Sequence, residues 1–237
     1  MKQLFLTFLT FIVFSALAQD STNTDLKRLV IGINVSPDYC YRVLKSNTVV
    51  QGASNFIKSR NETELPMLGY TVGLSAGYYF KKSFGIEIGI QYSKKGYKTG
   101  QMEIITTDHP EGGLEEISYN FNYIEIPVKA ILKLGKKKIR FLCSTGIVPS
   151  ICVYERTVSK SKYYDGINTT LKEEPNYIYN PFNLSIMASL GIDIQLGKRM
   201  NLKIEPNYKY GILQIINTSI AEHLWSSGIN IGYYISF

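Results

Sequence analysis

The residues best suited to chemistry are two histidines and three cysteines. His109 follows Asp108 and His223 follows Glu222, with Ser118, Ser219 and Ser226 not far away in sequence. An imidazole held by a carboxylate and facing a serine hydroxyl is the arrangement of a hydrolase, with the histidine as general base. The spacing fixes no such contact, and two solvated loop histidines explain the same sequence, so no catalytic residue is assigned. Cys40, Cys143 and Cys152 are odd in number and far apart, which reads as neither a disulfide framework nor a metal-ligand cluster. The glycines recur at period two rather than clustering in a phosphate-binding loop. No cofactor and no metal are expected.

A second set of residues is suited to charge pairing. Asp38, Glu87, Glu125, Asp193 and Glu205 fall at alternate positions of strand-like segments, and so do Arg42, Lys129, Lys133, Lys203 and Lys209. Acids and bases balance on what would be one face. In an enclosed space such a set has to pair, because an unpaired buried charge costs several kcal/mol. The expectation is a lumen charge network built on these residues.

The segments that must position them alternate apolar and polar residues with period two. Leu29, Ile31, Ile33 and Val35 alternate with Gly32, Asn34 and Ser36. Phe84, Ile86, Ile88 and Ile90 alternate with Gly85, Glu87, Gly89 and Gln91, and Phe182, Leu184, Ile186 and Leu190 with Asn183, Ser185, Ser189 and Gly191. About eight such segments can be traced, with little helical period between them. Cys143 and Cys152 differ in parity and are expected on opposite faces of one strand. The connections alternate in length. Those about Lys45 to Met67, Lys98 to Ser118 and Arg156 to Pro181 are long, and Gln214 to Leu224 is intermediate. Lys81-Lys82-Ser83, Gly135 to Lys138 and Gly197 to Met200 are tight turns. Strands joined in sequence, with long loops on one rim and tight turns on the other, predict an all-β fold: an eight-stranded antiparallel up-and-down transmembrane β-barrel. Pro37, Pro127, Pro149 and Pro206 fall within these strands. Each removes a ladder donor, which predicts bulges or strand extensions beyond the bilayer.

The N-terminus opens Met1-Lys2-Gln3, continues through an apolar stretch from Leu4 to Leu17 and reaches Ala16-Leu17-Ala18. That is the layout of a secretory signal peptide, with cleavage between Ala18 and Gln19. The expected organisation is a signal peptide over 1–18, a short periplasmic segment over 19–28 and a barrel over 29–237. No other apolar run approaches the ~20 residues a spanning helix needs. Abundant aromatic residues argue against disorder. The net charge is +7, but the basic residues are scattered and the chain is read as exported, so nucleic acid is not an expected partner.

Alternation alone leaves two barrels open: a soluble one with its apolar face inward, and a membrane one with that face outward. The polar face is rich in Gly, Ser and Asn, which suits the narrow interior of eight strands. The apolar face is nearly free of charge and has Tyr or Phe near many strand ends, like a lipid-facing band between aromatic girdles. Phe237 ends the chain as an apolar-face aromatic, in the manner of an outer-membrane insertion signal. These features favour the membrane barrel, with outer-membrane lipid and the barrel-insertion machinery as partners and another envelope protein as a further candidate.

The segment Asn122-Tyr123-Ile124-Glu125-Ile126-Pro127-Val128-Lys129 resembles the Tyr-Leu-Glu-Ile-Pro-Leu signature of the PorT-like outer-membrane β-barrel family. Phe182 to Ile186 with Gly191-Ile192-Asp193 is similar to the family's sixth strand, and Tyr208-Lys209-Tyr210-Gly211-Ile212-Leu213 to its aromatic-Gly segment. Position 207 is Asn where many relatives carry Arg. The resemblance implies an outer-membrane barrel of a Gram-negative bacterium. Most members of that family have no assigned biochemical activity, and the founding member is linked to protein secretion and maturation, a role that does not extend to every member. The expected function is a structural or interaction role, secretion- or envelope-associated, without catalysis. An adhesin or ligand-binding barrel acting through its long loops is the alternative, followed by a lipid-modifying enzyme at the outer rim.

Overall fold

The structure, a computed structural model, describes residues 29–46, 52–135, 137–173, 179–216 and 218–237. The expected signal peptide, its Ala18–Gln19 cleavage site and the segment 19–28 lie outside the described residues.

Strands dominate the fold. They are β1 (Leu29–Ser46), β2 (Glu64–Tyr79), β3 (Phe84–Thr99), β4 (Met102–Ile104), β5 (Gly113–Glu125), β6 (Val128–Leu134), β7 (Ile139–Tyr163), β8 (Asn168–Glu173), β9 (Phe182–Gln195), β10 (Met200–Gly211) and β11 (Ile220–Ser236). Each barrel strand pairs antiparallel with its neighbours, and β1 pairs with both β2 and β11, which closes the ring. The ring has eight staves, because β5 and β6 are one stave interrupted at Ile126 and Pro127: both lie between β3 and β7, and the register with each carries straight across the interruption. Closure leaves no unpaired edge within the barrel wall.

The outward face carries the apolar residues. Ile33, Leu74, Ile88, Ile90 and Leu190 are all more than half exposed, while Asn34, Ser75, Glu87 and Asp193 on the alternate positions are nearly inaccessible. This decides between the two barrels. A soluble barrel would bury the aliphatic set, whereas here it forms a continuous band far larger than the exposed patches of soluble monomers. Aromatic residues border that band. Near the loop rim Trp225 packs against Tyr39, Tyr41 and Tyr208, and Tyr70 against Tyr92. Near the turn rim Phe80 packs against Tyr78 and Phe84.

Two features differ from the sequence expectation. The register runs straight past Pro37, Pro127, Pro149 and Pro206. The shifts fall elsewhere, between Pro66 and Tyr70 on β2 and at Val153, which has no partner opposite Asn122 and Tyr123. The prolines are accommodated by missing rungs: β5 and β6 separate at Pro127, and Pro37 pairs with Tyr70 while its rung to β11 is absent. The long connections are also largely structured. The first holds a helix, α1 (Ala53–Thr63). The next two continue the barrel strands: β5 and β7 stay paired up to Gly113 and Tyr163, with β4 beside β5 and β8 beside β7.

Candidate functional site

Eight staves enclose a lumen so narrow that lysines reach across it. The charged residues lie in tiers from the turn rim to the loop rim. In the first, Asp193 on β9 accepts from Lys133 Nζ at 2.7 Å and Arg140 Nη2 at 2.8 Å, and from Asn201 at 2.7 Å. In the second, Glu87 on β3 lies between Lys129 Nζ at 2.7 Å and Lys203 Nζ at 2.6 Å. The Tyr234 hydroxyl reaches both Glu87 Oε1 at 3.1 Å and Asn34 Oδ1 at 2.7 Å, and Lys203 Nζ sits 3.7 Å over the Tyr234 ring. In the third, Glu125 binds Lys209 at 2.8 Å and Lys95 at 2.5 Å.

The remaining predicted members find different partners. Asp38 is held by the hydroxyls of Ser36, at 2.6 Å, and Thr71. Glu205 accepts from Ser189 at 3.1 Å and Asn230 at 3.3 Å, with Lys129 at 4.0 Å. Arg42 turns up towards the mouth and pairs with Glu64 at 2.7 Å. Sequence reasoning missed Lys95, Glu64, Arg60, Glu222 and Arg140 as members. Lys95 continues the parity of Glu87, Gln91 and Ser93, but Lys94-Lys95-Gly96 reads as the start of a turn. Arg60 and Glu64 sat in a connection whose sequence has no strand period to place them.

These last residues form the fourth tier and fix α1 over the mouth. Arg60 Nε lies 2.6 Å from Glu64 Oε1, its Nη1 2.5 Å from Glu222 Oε1 and its Nη2 3.2 Å from the Tyr97 hydroxyl, which itself donates to Glu222 Oε2 at 2.9 Å. Burial disfavours the Arg60 charge, but Glu64 and Glu222 more than offset it and hold the guanidinium above its ordinary range. Beneath lies a cluster of Tyr97, Phe121, Tyr123, Ile215 and Leu224.

Between the second and third tiers is a cavity of ≈ 20 Å³ lined by Ser36, Gln91, Lys129, Glu205 and Asn207 among others. That is room for about one water. Among the described residues the lumen is crossed by charge pairs tier after tier.

The histidines lie apart from one another. His109 stacks on Tyr163, ring centroids 3.7 Å apart, and its Nδ1 is 2.5 Å from Asp165 Oδ2. The backbone N–H of Ile167 and then His109 hold the Asp165 carboxyl below the usual carboxylate range. His223 shares the outward parity of Trp225, stacks with Tyr210 and faces the Gly211 carbonyl at 3.1 Å. Ser226 has the opposite parity and is buried inside. Among the described hydrogen bonds neither imidazole meets a serine hydroxyl. Cys40 and Cys152 lie on the inward register and Cys143 on the outward one, and all three are free thiols. Among the described residues no cluster of His, Cys, Asp and Glu could hold a metal ion.

A family model described as "Outer membrane protein beta-barrel domain" matches residues 17–217. Among solved structures, Neisserial surface protein A aligns with 88% of this chain and 97% of its own at 10% identity, TM-score 0.46. The outer membrane protein OprG from Pseudomonas aeruginosa aligns over 89% and 99% at 11% identity, TM-score 0.46. The attachment invasion locus protein Ail of Yersinia pestis aligns over 89% and 100% at 11% identity, TM-score 0.36. No curated protein matches the chain. With the closed ring of staves, the apolar outer band and the match over residues 17–217, the chain belongs to the outer membrane protein beta-barrel domain family and is a bacterial outer-membrane β-barrel.

Proposed function

We propose that this barrel neither conducts nor catalyses, and that it acts as a rigid anchor for an interaction surface beyond the membrane. The single observation that carries the reading is the continuation of β5 and β7 above the loop-rim girdle as a sheet with β4 and β8. A sheet grafted onto a barrel is stiffer than a loop, and recognition residues concentrate on such projections. The charge pairs that cross the lumen support the non-conducting half of the proposal, and the partners of His109 and His223 among the described residues, Asp165 and the Gly211 carbonyl, suit the non-catalytic half. The loop rim then faces the cell exterior and the tight turns the periplasm. Residues Asn122 to Lys129 support PorT-like membership, so a secretion- or envelope-associated role suits the same geometry. The N-terminal sequence supports export through a cleaved signal peptide.

The test has two arms. The reconstituted full chain in planar bilayers should give no conductance steps, and an epitope inserted at Gly166, in the turn between β7 and β8, should be labelled on intact cells. Steady channels would overturn the non-conducting reading, and an epitope reached only after permeabilisation would overturn the exterior interaction surface.

A further inference from the structure

The sheet that rises above the girdle separates its charges by face. Directly paired residues share a face, which orders the outward side into rows. The girdle row is Tyr92, Ile124, Ile151 and Phe182; above it come Lys94, Asn122 and Tyr154, then Gly96, Asn120 and Arg156. The next row is Lys98, Ser118, Val158 and Lys172, followed by Glu116, Lys160 and Thr170, and then Glu103, Leu114, Lys162 and Asn168. Lys160, Lys162 and Lys172 are exposed and Lys94, Lys98 and Arg156 partly so. Lys98 pairs with Glu116 at 2.5 Å, and Arg156 lies 4.7 Å over the Tyr154 ring. On the inward face of β5, β7 and β8, from Phe121 upward, the charged residues are Glu115, Glu155 and Glu173. A sheet charged only for solubility would mix signs evenly on both faces; here the outward face carries six bases against two acids, Glu103 and Glu116, and the inward face of these three strands carries acids alone.

The outward bases also climb. Two residues along a strand advance about 6.6 Å, and a tilt of ~35–45° leaves roughly 5 Å of height per row. The ladder starts one row above Tyr92, in the row of Tyr154, at headgroup level, and rises through the polar layer above. Its lateral neighbour there is the lipid that the girdle rests against.

We propose that this outward basic ladder docks the phosphate-bearing headgroup of an anionic glycolipid in the outer leaflet, with Lys94 and Arg156 at the lower phosphate and Lys160 and Lys162 at anionic groups further from the membrane. Basic clusters beside a membrane-spanning surface recognise anionic headgroups by charge, and arginine suits phosphate through its planar fork. The proposal rests on the orientation given above, in which this rim faces the exterior. The binding test below is run in detergent and does not depend on orientation, so failure of the ladder and failure of the orientation are separable.

The experiment measures retention of bisphosphorylated lipid A on the folded, detergent-solubilised barrel by native mass spectrometry, with dephosphorylated lipid A and inorganic phosphate as comparisons. The wild-type chain should retain the bisphosphorylated lipid, less so as salt rises. Combining Lys94→Gln, Arg156→Gln, Lys160→Gln and Lys162→Gln should weaken retention at least tenfold, while Lys81→Gln, Lys82→Gln and Lys198→Gln at the other rim should leave it unchanged. Gel mobility with and without heating checks folding. Should the fourfold variant not fold, Lys94→Gln with Arg156→Gln, both partly exposed, should give a partial loss. Undiminished retention in the folded variants, equal binding of dephosphorylated lipid A, or displacement by equimolar inorganic phosphate would each overturn the proposal.

Discussion

The Tyr234 ring occupies the space a side chain at Gly32 would need: a Cβ there would sit 2.4 Å from Tyr234 Cδ1. The ring crowds Gly232 on its own strand as well, with Cε2 at 2.5 Å from the corresponding point. Both glycines are therefore required by close approach. Gly32→Ala should lower barrel stability by about 1–3 kcal/mol, the usual cost of overpacking a filled interior. The loss should shrink in a Tyr234→Ala background, where the obstructing ring is gone. Urea unfolding in micelles checks both, and additive losses would contradict the assignment.

Glu87 serves two cations, Lys129 and Lys203, so removing its charge strands both in a site closed to water. Glu87→Gln should cost about 3–5 kcal/mol, as breaking a buried pair does. Replacing Glu87 and Lys203 together with apolar residues of similar volume should cost less, since one of the two stranded cations goes with its partner and Lys129 keeps Glu205 at 4.0 Å. A double variant less stable than Glu87→Gln would show that the network contributes more than mutual neutralisation.

How far the sequence reveals this architecture depends on the physics behind each feature. Strand faces are legible because lipid and a narrow lumen demand opposite chemistry at alternate positions; Ile88 and Glu87 could not exchange places. The tight turns are legible because Lys81-Lys82-Ser83 interrupts that alternation. Pairing within the lumen is not, because it depends on which staves face each other: Lys203 and Glu87 are 116 residues apart. Helix α1 is hidden for another reason. Its apolar residues, Ala53, Phe56 and Ile57, are confined to the first five positions and make no stripe along the helix, and polar contacts from Arg60, Asn61 and Glu64 hold it over the mouth. The upper strands are hidden too, because Glu115, Glu116, Lys160 and Lys162 read as a polar loop when no apolar face is required.

The outward band predicts a depth-dependent penalty. Ile88 lies midway between the girdle residues Phe84 and Tyr92 of its stave, whereas Leu68 lies beyond Tyr70 towards the loop rim and is 78% exposed. Ile88→Arg should destabilise the inserted barrel by roughly 2–4 kcal/mol and Leu68→Arg by about 0–1 kcal/mol. Folding into lipid vesicles against a denaturant gradient measures both. Equal penalties would show that the band is centred elsewhere.

At the far end of the projecting sheet, two connections are clasped together by His109 and Asp165, with Tyr163 beneath the imidazole and the Tyr164 N–H donating to the Gly112 carbonyl. The Asp165 carboxyl is held below its ordinary value of 3.8, first by the Ile167 N–H and then by His109. A lowered carboxyl pKa contributes stability that is fully present above the ordinary value and is lost as pH falls through the lower folded value. The clasp should therefore persist through neutral and mildly acidic conditions, where Asp165 stays charged, and loosen only as the pH falls below the ordinary carboxylate value towards the lower folded one. Hydrogen exchange of residues 105–112 and 164–167 should accelerate there while exchange in the barrel staves does not. Asp165→Asn removes the titrating group and the ion pair, so the tip should exchange faster at neutral pH and lose its acid dependence. An acid response that survives in Asp165→Asn would assign the effect to another group.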